Sequence, residues 1–155
     1  MAVQKKINIQ NKKARFEFEI LDKYVAGIQL TGTEIKSIRL SQARITESFC
    51  EFNDRGELFI VNMYIQEYLF GHHFNHKPKS ERRLLMNKRE LRSLRKDVEA
   101  KGNTIVPLRL FINDNGFAKL ELALAKGKQT HDKRETMKDR DNKRDLARIK
   151  KSFNS

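Results

Sequence analysis

Residues 105–124 read IVPLRLFINDNGFAKLELAL, and their pattern indicates the fold class. Two largely apolar runs, 105–112 and 117–124, flank the polar residues 113–116, which end in a glycine. Each run has the length and composition of a β-strand, and glycine suits a turn position with positive φ. The stretch therefore predicts an antiparallel β-hairpin.

The same organisation occurs upstream. Residues 49–52 and 58–63 flank Asn53-Asp54-Arg55-Gly56 and predict a second hairpin. Residues 16–20, FEFEI, alternate with the period of a half-buried strand. Residues 26–30, AGIQL, resume that alternation, and their glycine is a candidate for a bulge in one long strand.

Two helices are predicted between these strands. Thr33 can cap a short helix with its two isoleucines facing inward. Asn87 and Glu90 have capping-box spacing at the start of a second helix, and Gly102 is placed to end it.

The sum is a mainly-β fold: a small antiparallel OB-like closed barrel with two inserted helices. A closed barrel leaves no exposed strand edge, which suits several short antiparallel strands. We expect a flexible basic arm over residues 1–15, the barrel over 16–125, and a basic tail over 126–155.

The charge balance indicates a polyanionic partner. The chain has 155 residues, with 33 Lys and Arg against 20 Asp and Glu, and a formal charge of +13. Nucleic acid fits this excess better than a membrane, because no apolar stretch approaches the roughly 20 residues of a membrane span. The start, MAVQKKINIQNKKAR, also lacks the apolar core of a signal peptide. We therefore expect a cytoplasmic protein that binds no membrane.

Cysteine and histidine usage argues against a metal or another cofactor. The single cysteine, Cys50, lies in a strand-like run and is expected to be a small core residue in a reducing compartment. His72, His73 and His76 lack the spacing of a helical zinc motif, and no carboxylate lies among them. A loop near RNA is the better interpretation of this cluster.

The tail changes composition again. Residues 126–155 hold 11 basic and 5 acidic side chains, no proline, and no glycine after Gly127. Four helix-compatible opposite-charge pairs contribute about 1–2 kcal/mol together, which does not offset the nucleation cost of an isolated helix. We expect the tail to be disordered alone and helical when bound.

Several motifs occur in the order found in one bacterial family. They are NKKAR (11–15), AGIQLTGTEIKSIR (26–39), RRLLMNKREL (82–91), IVPLRLF (105–111) and ALAKGKQTHDKRE (123–135). The chain resembles the family of small protein B, the SsrA-binding proteins, over nearly its whole length. That resemblance implies binding to the tRNA-like domain of transfer-messenger RNA and its delivery to the A site of stalled ribosomes in trans-translation. It implies no catalytic chemistry.

The resemblance also implies an RNA site on the barrel. Lys36 and Arg39 are predicted on the outer face of the first helix, where they can neutralise phosphates. The family's recognition leucine and asparagine match Leu85 and Asn87. Val25 stands where the family often has a glutamate that binds RNA, so we leave Val25 out of the predicted site.

The tail is implied to act in the small-subunit decoding site and the mRNA channel. Lys126 and Lys128 flank the hinge glycine, and Asp132-Lys133-Arg134 match the family's DKR motif, where the helix is expected to begin. His131 can stack on a base and also hydrogen-bond. The predicted ribosome-contacting residues are Lys126, Gly127, Lys128, His131, Asp132, Lys133, Arg134, Arg144, Arg148, Ile149 and Lys150.

Three alternatives are compatible with parts of this pattern. A ribosomal or ribosome-assembly protein with a basic tail is the main competitor, and only a trans-translation factor should hold transfer-messenger RNA without the ribosome. A general single-strand-binding OB domain would expose aromatic side chains, whereas the phenylalanines here are mostly predicted to face the core. An RNA-processing enzyme using His131 and Asp132 would need a pocket of positioned acid–base groups. A monomer bound one-to-one to RNA is the simplest assembly.

Overall fold

The computed structural model describes residues 6–100 and 102–127, apart from the side chain of His72. The helices in this part of the chain are α1 (Lys12–Glu17), α2 (Gly32–Arg39) and α3 (Lys88–Glu99), and a 3-10 turn spans His72–Phe74. The strands are β1 (Asn8–Gln10), β2 (Phe18–Ile28), β3 (Ala43–Arg44), β4 (Phe49–Phe52), β5 (Leu58–Val61), β6 (Tyr64–Ile65), β7 (Arg82–Leu85), β8 (Thr104–Ile112) and β9 (Ala118–Gly127).

Six of these strands close into a ring. The neighbours run β8, β4, β5, β7, β2 and β9, and β9 pairs back with β8. Every pairing in the ring is antiparallel. β1 lies beside β8, while β3 and β6 form a separate two-stranded sheet. The predicted mainly-β fold with a small closed antiparallel barrel is confirmed.

Both predicted hairpins are present. The backbone N–H of Asn113 donates to the carbonyl of Phe117 at 2.9 Å, and Gly116 has φ +85°. The β4–β5 turn repeats this arrangement, with Asn53 at its start and Gly56 at φ +79°. Each glycine is required by its turn, because side chains other than glycine rarely adopt such a φ.

The main core fills the ring, and a second apolar layer lies under α1. Side chains buried inside the ring include Leu58, Ile60, Leu84, Ile105, Leu110, Leu120 and Leu122. The outward-facing residues Val106, Leu108, Ala123 and Ala125 are instead covered by Ala14 of α1. This second layer explains why both hairpin strands are apolar on both faces near one end.

The predicted flexible arm is wrong for residues 8–15. Residues 8–10 form β1, and α1 begins after the buried Asn11. The Asn11 side chain donates to the Pro107 carbonyl at 3.0 Å and accepts the Ala14 N–H at 3.3 Å. One asparagine therefore both caps α1 and fixes it to β8, which a polar, basic composition does not reveal. Phe16, predicted in a strand, lies in α1.

The two long strands differ from prediction in detail. The irregularity in β2 lies between Ile20 and Asp22, while Gly27 pairs regularly with its neighbours. β9 continues to Gly127, which pairs with Phe18, two residues beyond the predicted end of the barrel.

The two predicted helices are present as α2 and α3. α2 is capped by Thr31 in a reciprocal capping box with Glu34, so the predicted cap at Thr33 is wrong. α3 is capped by Asn87, as predicted, and ends before Gly102, which has φ +65°. No helix within residues 6–100 and 102–127 is long and apolar enough to cross a membrane.

A buried ion pair joins α2 to β7. The Arg82 guanidinium contacts the Glu34 carboxylate, and their side chains are 2% and 5% exposed. Arg82 also donates to the Met63 carbonyl at 2.6 Å and the Pro78 carbonyl at 3.1 Å. Arg82 therefore holds together α2, β7 and the long connection from β6 to β7.

Candidate nucleic-acid interface

The predicted RNA residue Leu85 lies beside Gly27 on the outer face of the barrel. They are register partners across β7 and β2. A Cβ atom added to Gly27 would lie 3.5 Å from the Leu85 Cβ and 3.7 Å from the Lys119 Nζ. Leu85 and Val25 are about half exposed. Leu85 and Val25 thus expose apolar surface beside the Lys119 ammonium and Glu121, which is the register partner of Val25.

A transverse row of side chains extends from this point across the sheet. Phe111 pairs with Lys119, Lys119 with Gly27, and Gly27 with Leu85. Directly paired residues project on the same face of a sheet. We call Phe111, Lys119, Gly27 and Leu85 the barrel row.

Arg109 adds a second cation to the barrel row. Its guanidinium carbon lies 4.2 Å from the centroid of the Phe111 ring, and its Nε donates to Glu121 at 3.1 Å. Arg109, Phe111 and Lys119 are absent from the site predicted from sequence. In the sequence, these three residues alternate with apolar residues of the 105–124 hairpin, and this alternation indicates that they face outward.

Asn87 lies two residues beyond the end of β7 and is the N-cap of α3. Its side-chain oxygen accepts the Glu90 N–H at 2.8 Å, and the residue is exposed. The predicted capping role is therefore present. The Asn87 amide nitrogen also donates to the Glu90 carboxylate, and its second N–H leaves one donor for an external group.

Substitutions at Asn87 should separate these two roles. Asn87→Ala should lower the free energy of unfolding by about 1 kcal/mol, the usual effect of losing an N-cap. Asn87→Ser should restore stability, because serine caps well, but not RNA affinity, because it lacks the paired donor and acceptor of an amide. Urea unfolding and gel-shift titration measure the two effects. Wild-type RNA affinity in Asn87→Ser would assign Asn87 to structure alone.

Lys36 and Arg39 occupy the exposed face of α2, as predicted. The Lys36 Nζ lies 5.4 Å from the centroid of the Tyr68 ring. Arg39 lines an open cavity of about 580 Å³ with Lys6 and the 113–116 turn. The two α2 cations thus have different neighbours from the Leu85–Gly27 pair.

A further basic surface lies between α3 and the barrel. An open cavity of about 400 Å³ has a floor of leucines and methionine and is lined by Arg55, Arg83, Lys88, Arg92 and Arg95. The Glu57 carboxylate beside it pairs with Arg83 at 3.0 Å. The hydrogen bond from Asn53, followed by the charges of Arg83 and Arg55, lowers the pKa of Glu57. These cations make the cavity attractive to phosphate groups.

Cys50 and His76 are structural. Burial raises the pKa of the Cys50 thiol, which stabilises its neutral form. The imidazole of the buried His76 lies 2.9 Å from the Thr33 hydroxyl and 3.0 Å from the Ile65 carbonyl. Among the side chains described, no group of three or more His, Cys, Asp and Glu residues could hold a metal ion.

Of the predicted tail site, the structure describes only Lys126 and Gly127. Both are exposed and still paired with β2, so the predicted hinge begins inside β9. The remaining predicted tail residues lie outside the described residues: Lys128, His131, Asp132, Lys133, Arg134, Arg144, Arg148, Ile149 and Lys150.

The chain matches a known protein family. The family model described as SmpB protein matches residues 8–152. The chain belongs to the SmpB family. It is 68% identical to the SsrA-binding protein of Flavobacterium psychrophilum over 96% of this chain and 99% of the relative. It is 51% identical to the SsrA-binding protein of Bacteroides thetaiotaomicron over 94% of this chain and 97% of the relative.

A solved structure of an SmpB family member has the same fold. It is described as "tmRNA-SmpB: a journey to the center of the bacterial ribosome". The two chains superpose with a TM-score of 0.66 and 46% sequence identity, over 80% of this chain and 86% of the other. The predicted resemblance to SsrA-binding proteins is confirmed.

Proposed function

We propose that this SmpB family member binds transfer-messenger RNA and acts with it on the ribosome in trans-translation, the rescue of stalled ribosomes. Family membership over residues 8–152 carries the proposal. The 68% identical relative is named an SsrA-binding protein, and the structural neighbour comes from a complex of tmRNA, SmpB and the ribosome. The formal charge of +13 supplies the attraction to RNA that this role needs.

On the barrel, we assign recognition of the tRNA-like domain to Leu85, Asn87, Lys36 and Arg39. The barrel row supports the assignment of Leu85, because strand register places a cation and an aromatic ring in line with Leu85 on the same face of the sheet. The glycine in that row allows close approach of an RNA backbone, which a side chain would obstruct. Val25 presents an apolar side chain at the position of the family's glutamate, so that RNA contact is not assigned to this chain.

The tail would supply the ribosomal step. Its 11 basic side chains suit the phosphate-lined mRNA channel, and Asp132, Lys133 and Arg134 are assigned to the decoding site.

The role of the protein is to bind transfer-messenger RNA and deliver it to the A site, with no chemical step and no cofactor. A monomer bound to one RNA in the cytoplasm, where ribosomes translate, is the assembly we propose.

The α2 cations should appear in the salt dependence of RNA binding. Affinity for transfer-messenger RNA should fall steeply with salt, because phosphate contacts release counterions. Lys36→Ala with Arg39→Ala should make the slope of log K against log salt shallower by up to about two units. Filter binding from low to moderate salt measures this slope.

A control variant distinguishes the loss of phosphate contacts at α2 from a general loss of positive charge. Arg89→Ala with Lys96→Ala also removes two exposed cations from one helix, α3, and should leave the slope nearer its wild-type value. Equal slopes in the wild type and the Lys36/Arg39 variant would place the RNA surface elsewhere.

A further inference from the structure

The connection between β6 and β7 carries an ordered loop with exposed aromatic side chains. We call residues 66–78 the aromatic loop. The side-chain amide of Asn75 accepts the Tyr68 N–H at 3.0 Å and donates to the Tyr68 carbonyl at 2.7 Å. The Gly71 N–H donates to the same carbonyl at 2.9 Å. These bonds close the loop on itself.

The base of the aromatic loop is fixed to the barrel and to α2. His76 contacts the Thr33 hydroxyl and the Ile65 carbonyl at 2.9 and 3.0 Å. Arg82 donates to the Lys77 and Pro78 carbonyls at 3.2 and 3.1 Å. The position of the loop is therefore set by buried polar side chains on both sides.

Large apolar side chains nevertheless project from this ordered loop into solvent. Leu69, Phe70 and Phe74 are 81%, 68% and 90% exposed. An exposed apolar patch is typical of a binding site, and here hydrogen bonds fix the loop that carries it. The expectation that the phenylalanines mostly face the core is therefore wrong: among the described residues no phenylalanine is buried, and Phe49, Phe70, Phe74 and Phe117 are exposed.

The surroundings of the loop favour an RNA partner over an apolar protein or lipid partner. The Tyr68 and Phe70 rings pack edge-to-face, with centroids 5.7 Å apart, and Lys36 lies over Tyr68 at 5.4 Å. Lys77 and Lys79 are exposed at the end of the loop, with Glu67 near its start and the exposed Glu81 just beyond it. Aromatic rings flanked by cations bind bases by stacking and phosphates by charge.

We propose that the aromatic loop is a stacking platform for an unpaired base of transfer-messenger RNA, with Phe74 as the principal ring. The inference rests on the proposed function and extends it to a surface that neither the predicted site nor the barrel row includes. We assign the base to transfer-messenger RNA, because Lys36 contacts the loop at Tyr68 and is one of the two α2 cations assigned to that RNA. The Lys36 ammonium, which lies over Tyr68 of the same loop, then neutralises a phosphate of the bound RNA.

The absence of tryptophan from this chain gives a direct test. Phe74→Trp introduces a single indole, whose emission should be quenched when a base stacks on it during titration with transfer-messenger RNA. Phe49→Trp is the matched control, because Phe49 is also exposed but lies on β4 beside Glu51 and Glu99. Its emission should change little. Equal responses from the two variants would overturn the proposal.

Affinity provides an independent measurement. Phe74→Ala should weaken binding of transfer-messenger RNA roughly 5- to 150-fold, the range for losing one base–aromatic stack. Phe49→Ala should bind as the wild type does, and thermal melts should show both variants folded. Unchanged RNA affinity in Phe74→Ala would refute the platform, including the case where ribosome binding or self-association is lost instead.

A different result would contradict the proposed function. If the wild-type protein binds transfer-messenger RNA no more tightly than an unrelated RNA of similar length, the proposed function is wrong. If the wild type discriminates and the Phe74 variants do not differ from it, only the stacking platform is wrong.

Discussion

Arg82→Met is expected to lower the free energy of unfolding by about 3–5 kcal/mol, because removing one partner of a buried ion pair leaves the other charge unpaired. Glu34 would keep only the Thr31 N–H, at 2.9 Å, as a hydrogen-bond donor in the described contacts. The carbonyls of Met63, Lys77 and Pro78 would also lose the guanidinium. This loss is a large fraction of the stability of an ordinary domain, about 5–15 kcal/mol.

The next residue provides a matched control. Arg83 is exposed and pairs with Glu57 at 3.0 Å on the surface, so Arg83→Met should cost at most about 1 kcal/mol. Urea unfolding followed by far-UV circular dichroism measures both variants. Similar midpoints for the two would mean that the buried pair does not organise α2 and the aromatic loop as described.

The parts of the fold that local chemistry determines were predictable from sequence. Both hairpins followed from strand-like runs around a turn glycine, and each glycine has the positive φ its turn requires. The cap of α3 followed from the spacing of Asn87 and Glu90. Ring closure followed from the general need to avoid strand edges, not from any individual residue.

The errors occurred where one residue acts through partners distant in sequence. Asn11 fixes α1 through Pro107, and this contact spans 96 positions. Arg82 reaches Glu34 across 48 positions. No local pattern encodes either contact, so residues 8–15 were predicted as a flexible arm and Arg82 was left without a role.

The candidate site was predictable only in part for the same reason. Family resemblance selected Leu85 and Asn87, but only strand register places Phe111 and Lys119 in line with Leu85. The exposure of Phe70 and Phe74 depends on Asn75 and His76, which hold the loop in place. A phenylalanine in a sequence indicates apolar surface, and the fold decides whether that surface is buried.

Deleting residues 128–155 should abolish trans-translation while leaving the barrel folded and able to bind RNA. The deletion begins after Gly127, because β9 pairs to that residue and a cut after Ala125 would remove part of the strand. It removes 10 basic and 5 acidic side chains, so RNA affinity should fall modestly at low salt. Activity on stalled ribosomes should be lost, because no segment remains to enter the mRNA channel.

Two full-length variants then divide the role of the tail into contacts and helix formation. Alanine at Asp132, Lys133 and Arg134 retains helix propensity but deletes the assigned decoding-site contacts, so peptide tagging should be abolished. Ala147→Pro retains every charge but costs about 3 kcal/mol in a helix interior, so tagging should fall as severely. Ala147→Ser, which a helix tolerates, is the control and should tag normally.

Gel shift with transfer-messenger RNA and peptide tagging on stalled ribosomes separate the two halves of the proposal. All of these variants should retain RNA binding, because the assigned recognition residues Lys36, Arg39, Leu85 and Asn87 lie on the barrel. Normal tagging by Ala147→Pro would show that the tail acts without forming a helix there. Normal tagging by the truncated protein would remove the tail from the mechanism altogether, because the ribosomal step would then belong to the barrel.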